Sequence, residues 1–197
     1  TGVTAGLIAS TYFIDAKVLG RGNNVSPSDK INLASIGVGW MGGDNLVAFL
    51  KEKDAQVLAL CDVDSNHLED AKNVVNEKYG NKDCKTYIDY RELLQRDDID
   101  AVVISTPDHW HTPIALMAVR AGKDLICEKP TFCIEEGRVL SDTVRRYGRV
   151  FQTSTEDRSL FVYHRMAELV RNGRIGKLHT IEVQLPKQPQ IPGDPTP

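Results

Sequence analysis

From residue 30 onward, short apolar runs rich in β-branched residues alternate with stretches whose apolar positions recur every three or four residues. INLASI precedes a helix predicted over 41–52, VLALC one over 66–79, AVVIS one over 113–121 and DLICE one over 134–147, while VFQTS leads to a last helix over 160–172. Ile114, Met117, Ala118 and Ala121 share one helical face, as do Val162, Met166, Leu169 and Val170, so these faces need a sheet or another layer to cover them. Thr112 and Pro113 read as the N-cap and first turn of their helix, and Gly80, Gly122, Gly148 and Gly173 stand just past predicted helix ends. Strands that are apolar on both faces and alternate with helices imply a parallel sheet covered on both sides. The expected fold is therefore a doubly wound α/β domain over residues 30–155.

The two ends read differently. Residues 1–14, TGVTAGLIASTYFI, carry no charge and have the composition of the apolar region of an export signal, without its basic start; the other reading is an arm packing on this or a neighbouring subunit. The stretch up to residue 29 has the Gly, Asn, Ser and Pro content of a linker. Residues 186–197 hold five of the nine prolines and form neither helix nor central strand. HTIEVQL, just before them, reads as a strand with nothing after it to pair with. Residues 156–197 are thus expected to be a linking helix and the truncated start of a second α/β domain.

Composition narrows the function classes. The 197 residues are 41% hydrophobic and 26% charged with a net charge of −3, which supports a packed core and gives no electrostatic footprint for nucleic acid. No apolar run reaches the ~18 residues of a membrane-spanning helix. Cys61, Cys84, Cys127 and Cys133 show neither disulfide-scaffold density nor metal-finger spacing and read as free, mostly buried thiols.

Directly after INLASI comes Gly37-Val38-Gly39-Trp40-Met41-Gly42, a G-x-G-x-x-G in the strand-turn-helix setting that this motif requires. Gly37 permits the turn, Gly39 lets backbone amides approach a pyrophosphate, and Gly42 allows close helix-to-strand packing, with the anion at a helix N-terminus. Trp40 and Met41 complete the loop. A glycine triplet alone is weak, but Asp62 ends the next strand 20 residues after Gly42, where a carboxylate meets the adenosine ribose 2′-hydroxyl. That carboxylate repels a 2′-phosphate and no arginine follows in VDSNH, so NAD is expected over NADP. The bland reading is a tight turn plus a helix-capping Asp62.

Two further polar clusters fall at strand ends, Ser105-Thr106-Pro107-Asp108-His109-Trp110-His111 and Glu128-Lys129-Pro130. Ligands of open α/β sheets bind outside the carboxyl ends of the strands. Lys129 there either hydrogen-bonds a substrate hydroxyl during alcohol oxidation or is a solvated surface lysine. Asp108, His109 and His111 come from one short loop with no distant partner, which argues against a metal site.

GVGWMG, CDVD, STPDHWH, EKP and LVRNGRIGKL together resemble the glucose–fructose oxidoreductase, inositol dehydrogenase and rhizopine-catabolism family of NAD(P)-dependent oxidoreductases, a likeness running over about 30–185. The resemblance implies a Rossmann domain in which Lys129 is catalytic, lying near the nicotinamide and the reacting hydroxyl, with Glu128 beside the nicotinamide ribose. It further implies that Thr106, Pro107 and His111 line the cofactor and that Gln152 matches a frequent family glutamine. Asp108 departs from the family's usual asparagine, and Glu156-Asp157-Arg158-Ser159 from Gln-Gln-Arg-Ser. The implied reaction is hydride transfer between nicotinamide and a secondary alcohol of a sugar or cyclitol, with the general base, the substrate residues and most of a homo-oligomeric interface in the second domain. The alternatives are an NAD-dependent glycosidase on the same scaffold, whose members usually lack the EKP lysine, or a non-catalytic dinucleotide-binding module. Residues 1–14 resemble the tail of a twin-arginine export signal, which implies a periplasmic or exported protein; a cytoplasmic one is the alternative.

Overall fold

The computed structural model describes residues 25–184. The signal-like stretch 1–14 and the proline-rich 186–197 lie outside them. Two compact units meet at Ser154 and Thr155.

The first unit is built on one six-stranded sheet, all of its pairings parallel: β1 (Ile31–Ile36), β2 (Ala55–Cys61), β3 (Lys85–Tyr87), β4 (Ala101–Ile104), β5 (Asp124–Glu128) and β6 (Phe151–Ser154). The order across the sheet is β3-β2-β1-β4-β5-β6, so the chain works outward in one direction from β1, then returns to its other side. Ile36 pairs with Cys61 on one flank and Ile104 on the other, which aligns the carboxyl ends of the three central strands. The crevice of a doubly wound sheet opens at this reversal.

Five helices join these strands: α1 (Trp40–Phe49), α2 (Ser65–Tyr79), α3 (Tyr90–Leu94), α4 (Asp108–Arg120) and α5 (Ile134–Tyr147). Successive side chains of a strand point to opposite faces, and the core divides accordingly. Leu33, Val57 and Leu60 pack with Leu46 of α1 and Leu68, Ala71 and Val75 of α2. Ala34, Ile36, Ala59, Val102 and Ile104 pack with Leu93 of α3, Ile114, Ala115, Ala118 and Val119 of α4, and Leu140 of α5. Gly80 and Gly148 cap α2 and α5 in the left-handed conformation.

Some local expectations need correction. The helix after AVVIS starts at Asp108, five residues before Pro113; Pro107 stands at its N-cap, and Thr112, inside the helix, is buried with its hydroxyl unpartnered among the described residues. Pro113 gives up one ladder hydrogen bond, and the burial of Ile114, Ala115, Ala118 and Val119 holds the helix across it. β3 and α3 carry no clear period of their own. Residues 179–184 form no strand, since a strand needs a neighbour for its ladder.

The second unit, described over 155–184, holds a 3-10 turn (Glu156–Ser159) and α6 (Phe161–Arg171), neither with a buried residue. Arg165 donates to Glu168 at 2.9 Å along α6. Among the described residues no helix is long and apolar enough to cross a membrane.

Candidate functional site

The glycine loop is a set of close approaches. Gly37, at φ 81°, donates to the Cys61 carbonyl at 2.8 Å. A side chain at Gly37 would stand 2.8 Å from the Ser105 carbonyl and the Thr106 nitrogen, and one at Gly42 would run into the Gly37 carbonyl. The loop is therefore pressed against the segment after β4, with α1 tight on the strand. Gly39 precedes α1 without a side-chain cap, leaving the start of the helix without a competing side-chain acceptor. A Cβ at Gly39 would meet Nδ1 of His67 at 3.1 Å, so an imidazole in the first turn of α2 walls this glycine. Trp40 projects into solvent at 90% exposure; it lines a groove with His67, Asp70 and Val74 between α1 and α2.

Asp62 stands at the end of β2, where its carboxylate accepts from the Val38 amide at 2.7 Å and the Asp64 amide at 2.9 Å. A carboxylate offers about four acceptor positions, so two remain for ribose hydroxyls. Backbone amides at a helix start, glycines whose absent side chains open the surface, and an oriented carboxylate at the next strand end fit the phosphate and ribose of a dinucleotide.

On the other side of β1 the site continues over β4 and β5. Glu128 ends β5 at 8% exposure, and its Oε1 accepts from the Asn45 amide at 3.0 Å, while the same amide donates to Ser105 Oγ at 3.1 Å. Asn45 thus joins α1 to both loops. Its signal in the sequence is a polar residue three places after Gly42 and one before Leu46, the two buried residues of α1. Lys129 follows, exposed, with a cis peptide bond to Pro130.

His111 is buried at 3% exposure. Its Nδ1 lies 2.8 Å from the Pro130 carbonyl and its Nε2 2.6 Å from the Thr106 carbonyl. Both ring nitrogens face backbone carbonyls, which places the ring between the loops after β4 and β5. Pro107 is the N-cap residue of α4, and the Thr106 hydroxyl is buried without a partner among the described residues. Gln152 lies opposite Ile126, two rungs before the Glu128 and Ser154 pair. Asp108 accepts from the His109 amide at 2.8 Å, and no three metal-ligating side chains gather among the described residues.

Burial, with Asp62 adding to it, pushes the Cys61 thiol up to about 12, and burial with Glu128 does the same for Cys127. Burial raises Cys84 to about 11. These thiols stay protonated at neutral pH and are not nucleophiles; all four cysteines are free, and Cys133 alone is exposed.

A family profile described as an oxidoreductase family with an NAD-binding Rossmann fold (Gfo/Idh/MocA) matches residues 31–155. Glycosyl hydrolase family 109 protein 2 of Shewanella sp. (strain ANA-3) is 40% identical over 125 residues, 60% of this chain and 27% of that protein. The crystal structure of myo-inositol 2-dehydrogenase from Lactobacillus plantarum superposes with a TM-score of 0.65 at 28% identity, over 75% of this chain and 43% of that one. That of scyllo-inositol dehydrogenase from Lactobacillus casei, with bound NAD(H) and scyllo-inositol, gives 0.64 at 26%, over 75% and 42%. The chain spans about a quarter of the length of that curated relative and less than half of each structure.

Proposed function

Because the chain belongs to the oxidoreductase family with the NAD-binding Rossmann fold, we propose that it supplies the cofactor half of an enzyme that oxidises or forms a secondary alcohol on a sugar or cyclitol. The observation that carries this reading is the placement of Glu128 and Lys129 at the carboxyl end of β5, across the sheet reversal from the glycine loop and Asp62. The α1 start and the glycine loop hold the pyrophosphate, and Asp62 holds the adenosine ribose, with Thr106, Pro107 and Glu128 bordering the other half. NAD, when bound, supplies the hydride acceptor. Lys129 orients the reacting hydroxyl by hydrogen bonding and stabilises negative charge developing on its oxygen. A homo-oligomer and export are parts of the same proposal.

The test is titration of the chain with NAD and NADP, followed by the fluorescence of Trp40 with a Trp40→Phe control, then polyol oxidation by the protein followed as NADH. Saturation by NAD at lower concentration than NADP is the expected result; no response to either removes the cofactor role. Lys129→Ala cuts turnover far more than NAD affinity, and equal losses in both count against its catalytic role.

The 40% identity to a glycosyl hydrolase family 109 protein, above that to either inositol dehydrogenase, favours a second reading: a glycosidase that uses NAD without net consumption. Release of an aryl glycoside without accumulation of NADH distinguishes it. Lys129 supports the dehydrogenase.

A further inference from the structure

We propose that His111 is the positioning residue for Lys129: its imidazole ties the loop after β4 to the turn after β5 and so fixes the nicotinamide end of the cleft. The inference rests on the NAD reading above and assigns a device within it. Asp62 marks the adenosine side at β2, and the pyrophosphate belongs at the α1 start, so the rest of a dinucleotide runs over the ends of β4 and β5. The two segments there are Ser105-Thr106-Pro107 and Glu128-Lys129-Pro130. Glu128 ends the β5 ladder opposite Ser154, whereas Thr106 and Pro130 lie outside any strand, where a buried carbonyl needs a donor.

His111 answers both from a single buried ring: one nitrogen lies 2.6 Å from the Thr106 carbonyl and the other 2.8 Å from that of Pro130, so the neutral ring donates to one carbonyl and packs its other nitrogen against the second, while the imidazolium donates to both. The Pro130 carbonyl belongs to the residue immediately after Lys129, so the ring anchors the lysine's own backbone turn. α4 carries the ring, and Ile114, Ala115 and Ala118 of the same helix are buried in the core against the sheet, which anchors it. Asn45 spans the same two segments from the α1 side through Ser105 and Glu128. The segments are therefore clamped from two helices, and of the two clamps only His111 grips the backbone on the far side of Lys129.

Such a clamp leaves the adenosine half alone, and this gives it a signature that general loosening lacks. Calorimetry on the 197-residue chain compares NAD with ADP-ribose, which lacks the nicotinamide, for the wild type, His111→Phe and His111→Gln. Wild type binds NAD more tightly than ADP-ribose. His111→Phe keeps the ring and removes both nitrogens; it weakens NAD about tenfold and leaves ADP-ribose within about twofold, so the two ligands converge. His111→Gln, which retains one amide, falls between. Circular dichroism checks each variant, and should His111→Phe not fold, His111→Gln decides alone. Equal binding of both ligands by the wild type, or an NAD to ADP-ribose ratio unchanged in the folded variants, overturns the positioning role. Binding of neither ligand by the wild type removes the cofactor reading itself and this inference with it.

Discussion

Lys123 sits at the opposite end of the sheet from the cleft, just before β5, and is only 6% exposed. Its ammonium donates to the carbonyls of Arg96 at 2.6 Å and Ile99 at 2.9 Å, which follow α3 and lack a ladder or helical partner of their own. Hydrogen bonds from a charged donor to buried acceptors stabilise more than neutral ones, and losing the donor leaves the carbonyls desolvated. Lys123→Met is expected to cost about 2–4 kcal/mol, read in urea denaturation as a lower midpoint with an unchanged slope. A midpoint equal to the wild type would show that water replaces the ammonium. The same logic separates the lysines of the two sheet ends: Lys123 is held by backbone and serves the fold, whereas Lys129 is exposed at the site.

At the scale of elements, Asp64 and Asp89 cap α2 and α3 with side chains that accept backbone amides. The amide of Asn66 first, then that of His67, holds the Asp64 carboxyl below the usual carboxylate range. A group whose folded value is depressed adds stability above its unfolded value, and that stability is lost as pH falls through the folded one. Asp64→Ala is therefore expected to lower the melting midpoint at neutral pH, with the gap to wild type closing only below about pH 4. A gap independent of pH down to acid unfolding would mean that the carboxylate charge adds nothing to the cap. The glycines past the helix ends were the legible signals: α5 spans the predicted 134–147 and ends at Gly148, and α2 ends at Gly80 and differs by one residue at its start. What escaped was settled by tertiary neighbours. β3 is three residues long, and Lys85, Thr86 and Tyr87 become a strand through pairing with Ala59, Leu60 and Cys61. In the site, Gly37, Gly42 and Asp62 were legible because their constraint lies in backbone geometry at fixed spacing. Asn45 and the clamping role of His111 were not, because their partners lie up to 83 residues away and both of those of His111 are carbonyls that any residue carries.

For the whole molecule, the first unit unfolds as one sheet with two covering layers, so a ligand that binds only the folded cleft stabilises all of it. NAD at about 100 times its dissociation constant adds about 2.7 kcal/mol. For a chain of this length that corresponds to a rise in melting midpoint on the order of 5–10 °C, measured by scanning calorimetry with and without NAD. NADP at the same concentration is expected to give a smaller rise, and no rise with NAD would deny specific binding to the native state. The central position of β1 carries a further consequence. Strands β1 to β3 come from residues 31–87 and strands β4 to β6 from residues 101–154, so each half of the sheet is the product of one uninterrupted stretch of synthesis. The proposed footprint crosses the seam between them, with Asp62 on the earlier-made half and Lys129 on the later. Until β4 has emerged from the ribosome and docked on β1 there is no surface for the second half of a dinucleotide, and once it has docked, a bound dinucleotide acts as a staple across that seam.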